Sequence, residues 1–362
     1  MQFLCIFVGV KARLVNKMKY KLGFFGGSFD PLHIGHIHDI IRAASVCERL
    51  FVIISYCEGR ESVAKDLIYR WIHYSTMHLH NIKIFTLEDT ASTKEAYNSD
   101  YYWEKGANDI KKLIRTKIDV VFCGSDYWDS NRFESLYGSD SEVIYFDRSE
   151  VPISSTELRF CPYKHWEYLP PICRPYYAKR ILITGSESTG KSTLTQNLAL
   201  AYNTNFVPEI GRDVCFNAGG EDFMNQDDLV EILIRQKAAE LDALLHSNRL
   251  LFVDTDALST KFYAQFLLKQ NDEIKQCSAL ADAISNLQRF ALIFFLEPST
   301  EFVQDGTRSE EIAKHRDKYS MQLKSLFYEN KLDLISLSGS YLQRFDKAKE
   351  VIAQRLGIKT IW

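Results

Sequence analysis

The turn that decides the fold lies near the start of the chain, which reads Leu22-Gly23-Phe24-Phe25-Gly26-Gly27-Ser28-Phe29-Asp30-Pro31-Leu32-His33-Ile34-Gly35-His36. The apolar run at residues 22–25 predicts a buried strand, and a helical pattern follows at 37–46. Open parallel sheets bind their ligands beside the carboxyl ends of their strands, which is where this turn lies. The stretch therefore predicts an α/β fold with a ligand site at its first turn.

The alternation of apolar runs and amphipathic stretches continues beyond this turn. Further strands are predicted at 50–55, 82–86, 120–124 and 143–146, and a second helix is predicted at 66–78. Strands that alternate with helices favour a parallel sheet, so the first part of the chain is predicted to be a Rossmann-like domain.

A Pro-rich stretch at 169–175 interrupts this pattern, and a new strand signal follows it. A chain of 362 residues exceeds the size at which one core usually keeps growing, so two domains are expected. We predict an N-terminal domain at 20–168, a linker at 169–179 and a C-terminal domain at 180–362. Residues 1–19 form an extension without a motif, within which Met18 offers an alternative start.

The C-terminal domain repeats the α/β pattern around a second turn. Its strands are predicted at 180–184, 250–254, 292–296 and 333–336, and its helices at 191–202, 227–246, 258–269 and 341–356. The first of these strands leads into Gly185-Ser186-Glu187-Ser188-Thr189-Gly190-Lys191-Ser192, which satisfies G-x-x-x-x-G-K-[ST]. The strand, loop and helix order predicts a P-loop kinase with its own parallel sheet.

The bulk properties exclude several classes of protein. The net charge of -3 gives no basic footprint for nucleic acid, so phosphate binding must be local. The eight cysteines are scattered without a C-x-x-C pair, which favours reduced thiols in a cytoplasmic protein without zinc or disulfides. The apolar segment at residues 1–10 is too short to span a bilayer and lacks the flanks of a signal peptide.

The first turn carries the residue types that bind polyphosphates. Glycines let the backbone approach a phosphate, a helix N-terminus offers unpaired N–H groups, and histidines three apart can aim ring donors at the same oxyanions. Adenylyl transfer needs orientation of two phosphates and stabilisation of charge, with His33 and His36 as catalytic groups. We predict ATP contacts from Gly26, Gly27, Ser28, Phe29, His33, Gly35 and His36.

A second stretch, Ile153-Ser154-Ser155-Thr156-Glu157-Leu158-Arg159, is suited to the same ligand. Its hydroxyl residues can cap a helix and donate to phosphate, and Arg159 one turn later can fork onto a β- or γ-phosphate. Ser154, Ser155, Thr156 and Arg159 are therefore further predicted ATP contacts.

The P-loop of the C-terminal domain predicts phosphoryl transfer. Its backbone can cradle the β-phosphate, Lys191 can reach the β- and γ-phosphates, and the Ser192 hydroxyl can bind Mg²⁺. Asp254 ends an apolar strand and is the predicted metal-linked carboxylate, with Asp256 beside it for substrate or base work. The predicted ATP contacts are Gly185, Ser186, Glu187, Ser188, Thr189, Gly190, Lys191, Ser192, Thr193, Arg308 and Arg316.

The order of the motifs resembles a known family. The first turn satisfies G-x-F-x-P-x-H-x-G-H and the later stretch satisfies I-S-S-T-x-x-R, both marks of the nucleotidyltransferase superfamily. With the P-loop, residues 20–358 resemble the bacterial bifunctional nicotinamide-nucleotide adenylyltransferase/ribosylnicotinamide kinase. Some family members carry a helix-turn-helix repressor domain, for which residues 1–19 are too short, so no binding of nucleic acid is carried over.

The resemblance implies substrates and substrate contacts. The expected small molecules are ATP, ribosylnicotinamide, nicotinamide mononucleotide and NAD, with Mg²⁺ arriving with ATP. In the N-terminal domain, Trp103 is the first choice to stack on the pyridinium ring, and Arg70 lies in the other substrate segment. In the kinase domain, Glu209, Arg212 and Asp213 are expected at the acceptor.

Two other functions remain open at this point. One is the adenylyltransferase and P-loop kinase pair that completes coenzyme A, although it leaves the stretch 305–308 unexplained. The other is a nucleotide-sensing regulator with degenerate sites, against which the intact motif residues His33, His36, Lys191 and Asp254 argue. The sequence leaves the oligomeric state and the amide or acid form of the substrate open.

Overall fold

The chain folds into two compact units that divide between Pro170 and Pro171. The structure is a computed structural model that describes residues 18–299, 301–303 and 314–360. The division falls inside the predicted linker. That segment is folded, because Leu169 and Cys173 are fully buried and a short helix, α7 (Arg174–Tyr177), follows them and packs on the C-terminal unit.

The N-terminal unit is a parallel sheet of five strands in the order β3-β2-β1-β4-β5. The strands are β1 (Tyr20–Gly27), β2 (Cys47–Tyr56), β3 (Ile82–Glu88), β4 (Val120–Gly124) and β5 (Glu142–Phe146). The helices are α1 (Ile34–Val46), α2 (Lys65–Thr76), α3 (Lys94–Tyr97), α4 (Asp100–Ile114), α5 (Arg132–Tyr137) and α6 (Ser155–Phe160). The chain order reverses at β1, which puts the turn after β1 at the switch point of the sheet.

The N-terminal core forms because the central strands are apolar on both faces. All five residues of β4 are buried, as are four consecutive residues in the middle of β1. Helix α4 closes one face through Ala107 and Ile114, which pack against Leu22, Phe24 and Val121. Such continuous apolar runs are expected for strands covered by helices on both sides.

The C-terminal unit is a second parallel sheet of five strands, in the order β10-β9-β6-β8-β7. The strands are β6 (Lys179–Gly185), β7 (Phe206–Val207), β8 (Leu250–Asp254), β9 (Phe290–Leu296) and β10 (Ile335–Leu337). The helices after α7 are α8 (Lys191–Ala201), α9 (Ile210–Ala218), α10 (Gln226–Leu245), α11 (Ala257–Leu267), α12 (Asn271–Leu287), α13 (Arg316–Glu329) and α14 (Tyr341–Leu356). The predicted fold class, two α/β units each with a parallel sheet, is confirmed.

The C-terminal core lies between β8, β9 and the helices α11 and α13. Leu251, Val253 and Phe295 come from the strands, and Phe262 and Phe327 come from the helices, in one contiguous cluster. Burial of these large side chains stabilises the ends of the strands. The P-loop, which follows β6, is therefore attached to a rigid part of the sheet. In the described ranges, no helix has the length and apolar character needed to cross a membrane.

Candidate active sites

A large opening in the N-terminal unit lies at the carboxyl ends of β1 and β4. We call it the histidine cavity, because the rings of His33 and His36 are in its wall. Its other lining residues include Gly26, Gly27, Ser28, Phe29, Asp30, Cys123, Gly124, Asp126, Arg148, Ser154, Ser155, Thr156 and Arg159. The structure therefore brings the two motifs, which are far apart in sequence, to one cavity.

The two motif histidines form a stacked pair at the start of α1. Their ring centroids are 3.6 Å apart and the ring planes differ by 22°. His33 is the N-cap residue, and its Nδ1 accepts a hydrogen bond of 3.4 Å from the backbone N–H of His36. Since Nδ1 is an acceptor, the proton of a neutral His33 sits on Nε2. His33 Nε2 and His36 Nδ1 are buried without a protein partner among the described residues, so both remain available to a ligand.

Burial keeps the histidine pair neutral in the absence of a ligand. Burial and the nearby Arg148 lower the pKa of His33 to about 3. Burial, His33 and Arg148 lower the pKa of His36 well below its ordinary value. A neutral pair can donate to phosphate oxygens as hydrogen-bonding groups, and a bound polyphosphate would favour the charged forms.

The first motif predicts that Gly35 contacts ATP, but the structure gives Gly35 a different position. It does not line the histidine cavity. A Cβ atom on Gly35 would lie 3.0 Å from both Cε1 and Nδ1 of His33, which is closer than side chains normally pack. The absence of a side chain at Gly35 therefore makes room for the His33 ring.

The second motif is tied to the first by side-chain hydrogen bonds. Ser154 caps α6 in a reciprocal capping box with Glu157, and Ser155 Oγ donates to the Pro31 carbonyl at 3.1 Å. Arg159 donates to the Asp30 carbonyl through Nη1 and to Thr156 Oγ1 at 2.9 Å through Nη2. These hydroxyls thus hold the cavity wall together, and the guanidinium of Arg159 faces the cavity from a fixed position.

Sequence reasoning missed Arg148, which adds a cation to the histidine cavity. Arg148 follows β5 and its Nε donates to Asp126 Oδ1 at 3.2 Å. A Cβ atom on Gly124 would lie 2.3 Å from Arg148 Nε, so this glycine leaves room for the guanidinium. The position at the carboxyl end of a strand was the available signal, but a lone Arg after a short strand carries no motif.

A smaller, mostly apolar cavity lies beside α4, and we call it the aromatic cavity. Trp103 lines both this cavity and the histidine cavity. Its ring packs against Tyr97, Tyr127 and Phe133, and the Arg132 guanidinium lies 5.0 Å from its centroid. The structure thus places Trp103 beside the phosphate-facing motif. By contrast, Arg70 is exposed on α2 and lines neither cavity.

In the C-terminal unit, the P-loop runs from the end of β6 to the start of α8. Lys191 is buried at the start of α8 and donates to the Ser186 carbonyl at 3.2 Å. Ser188 and Gly190 have positive φ values of 58° and 87°, which curl the loop backbone. This curvature is the nest geometry that binds phosphate. Thr193 is exposed on α8.

Asp254 lies next to the P-loop and has an unpaired oxygen. It is 1% exposed at the end of β8, and its Oδ1 is buried without a hydrogen-bond partner among the described residues. Burial and the Glu209 carboxylate raise its pKa, while Lys191 and the Ser192 hydroxyl favour the charged form. An unpaired carboxylate oxygen beside a hydroxyl and a phosphate loop fits a divalent cation that arrives with a nucleotide. Within the described ranges, no group of three His, Cys, Asp or Glu residues could hold a metal alone.

Two arginines from other parts of the C-terminal unit donate hydrogen bonds to backbone carbonyls of the P-loop. Arg316 donates to the Ser188 carbonyl at 2.7 Å and to the Glu187 carbonyl at 3.2 Å. Arg344, in α14, is 1% exposed and donates to the Thr189 carbonyl at 2.5 Å. Its other terminal nitrogen reaches Ser299 Oγ at 2.6 Å and the Glu297 carbonyl at 3.2 Å. Arg308 lies outside the described residues.

A cavity opens beside the P-loop, and we call it the P-loop cavity. Its walls carry Glu187, Ser188, Lys191, Glu209, Arg212, Cys215, Glu221, Thr255, Thr260 and Tyr263. The structure brings Glu209 and Arg212 together here, with Arg212 Nη2 3.4 Å from Glu209 Oε2.

Two predicted acceptor residues lie elsewhere. Asp213 is exposed on α9 and Asp256 is buried, and neither lines the P-loop cavity. Asp256 is the N-cap of α11, where its Oδ1 accepts from the N–H and hydroxyl of Ser259 at 3.1 and 3.0 Å. The Asp256 carboxylate therefore has a structural role as the cap of α11.

Sequence reasoning missed other groups around the P-loop cavity. The hydroxyl of Tyr263 is hydrogen-bonded to Glu187, and burial with this carboxylate raises its pKa well above the ordinary value. Gln236 is buried in α10 and contacts the backbone at both Ile210 and Asp254. Neither residue carries a sequence signal, because each lies within an amphipathic helix at a position that the helical period assigns to the core.

Known proteins match both units. Residues 24–160 match the family described as cytidylyltransferase-like, and residues 180–344 match the family described as AAA domain. The chain is 27% identical over 359 residues to the trifunctional NAD biosynthesis/regulator protein NadR of Escherichia coli K12. That alignment covers 94% of this chain and 85% of the relative.

Two solved structures have the same fold over nearly the whole chain. A crystal structure of NadR protein in complex with NR gives a TM-score of 0.78 at 23% identity, covering 95% of this chain and 98% of that one. A NadR structure in complex with NAD and AMP-PNP gives 0.77 at 22% identity, covering 94% and 98%. The chain is thus homologous over almost all of its length to the NadR proteins, and the family resemblance that its motifs predict is confirmed.

Proposed function

We propose that the chain makes NAD in two steps. The C-terminal unit phosphorylates ribosylnicotinamide with ATP to give nicotinamide mononucleotide and ADP. The N-terminal unit then joins the mononucleotide to AMP from a second ATP, which gives NAD and pyrophosphate. One observation carries the proposal: a stacked histidine pair and a P-loop, each at the carboxyl ends of its own parallel sheet, occur in one chain with homology to NadR.

In the adenylyl transfer, a phosphate oxygen of the mononucleotide attacks the α-phosphorus of ATP and the bond to pyrophosphate breaks. The ring nitrogens of His33 and His36 are preorganised to donate to the phosphate oxygens on which charge grows. Arg148 and Arg159 bring fixed positive charge to the same cavity. These groups stabilise charge and orient the phosphates, and none of them forms a covalent intermediate in this proposal.

Trp103 supports the choice of a pyridinium substrate. It lies at the junction of the histidine cavity and the aromatic cavity, within a group of aromatic rings. A cationic ring placed against aromatic faces gains roughly 0.5–2 kcal/mol, and the apolar wall suits a ring better than a second charged group. The nicotinamide end of the mononucleotide is therefore assigned to the aromatic cavity and its phosphate end to the histidine cavity.

In the kinase step, the ribosyl hydroxyl attacks the γ-phosphorus, its proton leaves to solvent or a base, and ADP departs. Lys191 binds the β- and γ-phosphates, and Glu209 with Arg212 holds the acceptor at the P-loop cavity. Ser192 and Asp254 would hold Mg²⁺, which supplies positive charge to the β- and γ-phosphate oxygens. The family supports a divalent metal in general, and the oxygen donors of this site favour Mg²⁺.

The test supplies the purified protein with MgATP and ribosylnicotinamide and separates the products over time. Nicotinamide mononucleotide should appear first and NAD after a lag. A parallel reaction with phosphopantetheine and dephospho-coenzyme A tests the coenzyme A alternative. Turnover of those compounds, with none of ribosylnicotinamide, would contradict the proposal, and turnover of neither set would favour a sensing role.

A further inference from the structure

One buried side chain lies between the backbone segment that carries Glu209 and the backbone segment that carries Asp254. Gln236 lies in α10 and is 7% exposed. Its Oε1 accepts a hydrogen bond of 3.0 Å from the backbone N–H of Ile210, and its Nε2 donates at 3.1 Å to the backbone carbonyl of Asp254. The carboxamide is therefore bonded on both sides, once to each of two separate elements.

Both partners of Gln236 belong to functional segments. Ile210 is the first residue of α9, directly after Glu209, and its N–H has no partner inside the helix. Asp254 is the last residue of β8, and its carboxylate lies beside the P-loop. This carboxamide thus adds a direct link between the backbone that carries Glu209 and the backbone that carries Asp254, beyond the pairing of β7 with β8.

Few other contacts fix the start of α9. The preceding strand, β7, has only two residues, and Glu209 makes no side-chain hydrogen bond that caps α9. Apolar packing of Ile210 and Val214 holds the helix on α10, but such packing is not directional. The hydrogen bond from Ile210 to Gln236 is directional, so it fixes the orientation of the start of α9 in a way that apolar contacts do not.

We propose that Gln236 is a positioning residue for phosphoryl transfer. It holds Glu209, and with it the acceptor, at a fixed distance from Asp254 and the γ-phosphate. This inference rests on the proposed kinase function, because it assumes that Glu209 contacts the acceptor. A displacement near 1 Å at a reacting centre can lower turnover by about 10²-fold, so a residue that touches no substrate can still control the rate.

The test replaces Gln236 with Met, which keeps the volume and removes both hydrogen bonds. Gln288→Met is the matched control, because Gln288 is also a buried glutamine of the same unit and its Nε2 donates to Glu240 at 3.4 Å. Glu240 binds Arg180 near the start of β6, at the end of the sheet away from Asp254. Kinase rates are measured with ribosylnicotinamide and with MgATP varied in turn. Adenylyl transfer from supplied nicotinamide mononucleotide checks that the other unit is intact.

The expected kinetic effects differ between ribosylnicotinamide and ATP. In Gln236→Met, kcat/KM for ribosylnicotinamide should fall by about 10²-fold, through both a higher KM and a lower kcat. The KM for ATP should change little, because the pairing of β8 with β6 still holds Asp254 beside the P-loop. Gln288→Met should leave both sets of constants unchanged.

Several results would overturn the proposal. One is wild-type kcat/KM for ribosylnicotinamide in Gln236→Met, and another is an equal rise in KM for both substrates, which indicates general loosening. If Gln236→Met gives no folded kinase, Gln236→Glu decides, since it keeps the acceptor for Ile210 N–H but replaces the amide donor to Asp254. Wild-type kcat in that variant would refute the positioning role. A wild-type protein without kinase activity would instead refute the proposed function itself.

Discussion

Replacement of His36 with Ala should strongly slow NAD formation without slowing the kinase. His36 is 8% exposed, stacks on His33 and meets Phe29 edge-on at 5.0 Å, so its ring cannot turn to another partner. Its buried Nδ1 has no partner among the described residues, which leaves a phosphate oxygen as the group to which it donates. The substitution removes one preorganised hydrogen bond in the transition state.

The size of the effect follows from this geometry. Loss of one preorganised donor of this type costs about 10²–10³ in turnover, or roughly 2.7–4 kcal/mol of transition-state stabilisation. With ribosylnicotinamide and MgATP supplied, nicotinamide mononucleotide should therefore accumulate while NAD does not. The kinase should keep its rate, since the P-loop lies in the other compact unit.

Two controls separate lost chemistry from lost folding. His36→Asn keeps a polar atom near the position of Nδ1 and should retain more activity than His36→Ala. His38→Ala, on the same helix but with a side chain 40% exposed, should behave as wild type. Wild-type NAD formation in His36→Ala, or an equal loss in His38→Ala, would refute the assignment of this cavity as the adenylyl-transfer site.

Three further predictions follow from the same contacts. Lys191→Ala should abolish phosphorylation of ribosylnicotinamide and leave adenylylation of supplied mononucleotide nearly intact; a joint loss in a folded protein would contradict independent sites. Arg316→Ala should raise the KM for ATP in the kinase assay, because two P-loop carbonyls lose their hydrogen-bond donor. An unchanged KM would show that these hydrogen bonds do not support the P-loop. The stability of the N-terminal unit should fall as the pH drops from about 6.5 towards 3, because His33 accepts its proton only when unfolded, with a loss of about 2 kcal/mol by pH 5. Urea unfolding followed by tryptophan fluorescence measures this loss, since four of the five tryptophans lie in that unit, and His33→Gln should weaken the pH dependence.

The sequence predicts the sheets well because their signals are local. Strands such as β4 and β8 are uninterrupted apolar runs, and the structure finds them at the predicted residues. The two phosphate motifs are also local, since each needs only a turn and the start of a helix. Predictions that depend on one short stretch of chain therefore held for the fold.

The positions of single polar residues depend on tertiary contacts, so the sequence was less informative about which of them lie at the cavities. Asp256 has the residue type of a catalytic group, but it lies two residues after Asp254 where α11 needs a cap. Arg70 faces away from both N-terminal cavities, because the buried face of α2 is taken by Ile68, Trp71 and Ile72. Arg148 and Gln236 were missed because only tertiary packing brings Arg148 to the histidine cavity and Gln236 to the backbone of Ile210 and Asp254.

The position of Arg344 in the chain has a consequence for synthesis on the ribosome. The P-loop is made early in the C-terminal unit, but the guanidinium that supports the Thr189 carbonyl lies in the last helix. The two lie 155 residues apart. This separation corresponds to roughly 8–30 seconds of elongation at about 5–20 residues per second. The nucleotide loop of the kinase thus gains this support only after α14 has been made. The N-terminal unit has a similar requirement, because Ser155 and Arg159 contact the first turn from later in the chain, but both precede the C-terminal unit. A nascent chain would therefore gain the second enzyme of the sequence before it gains the first.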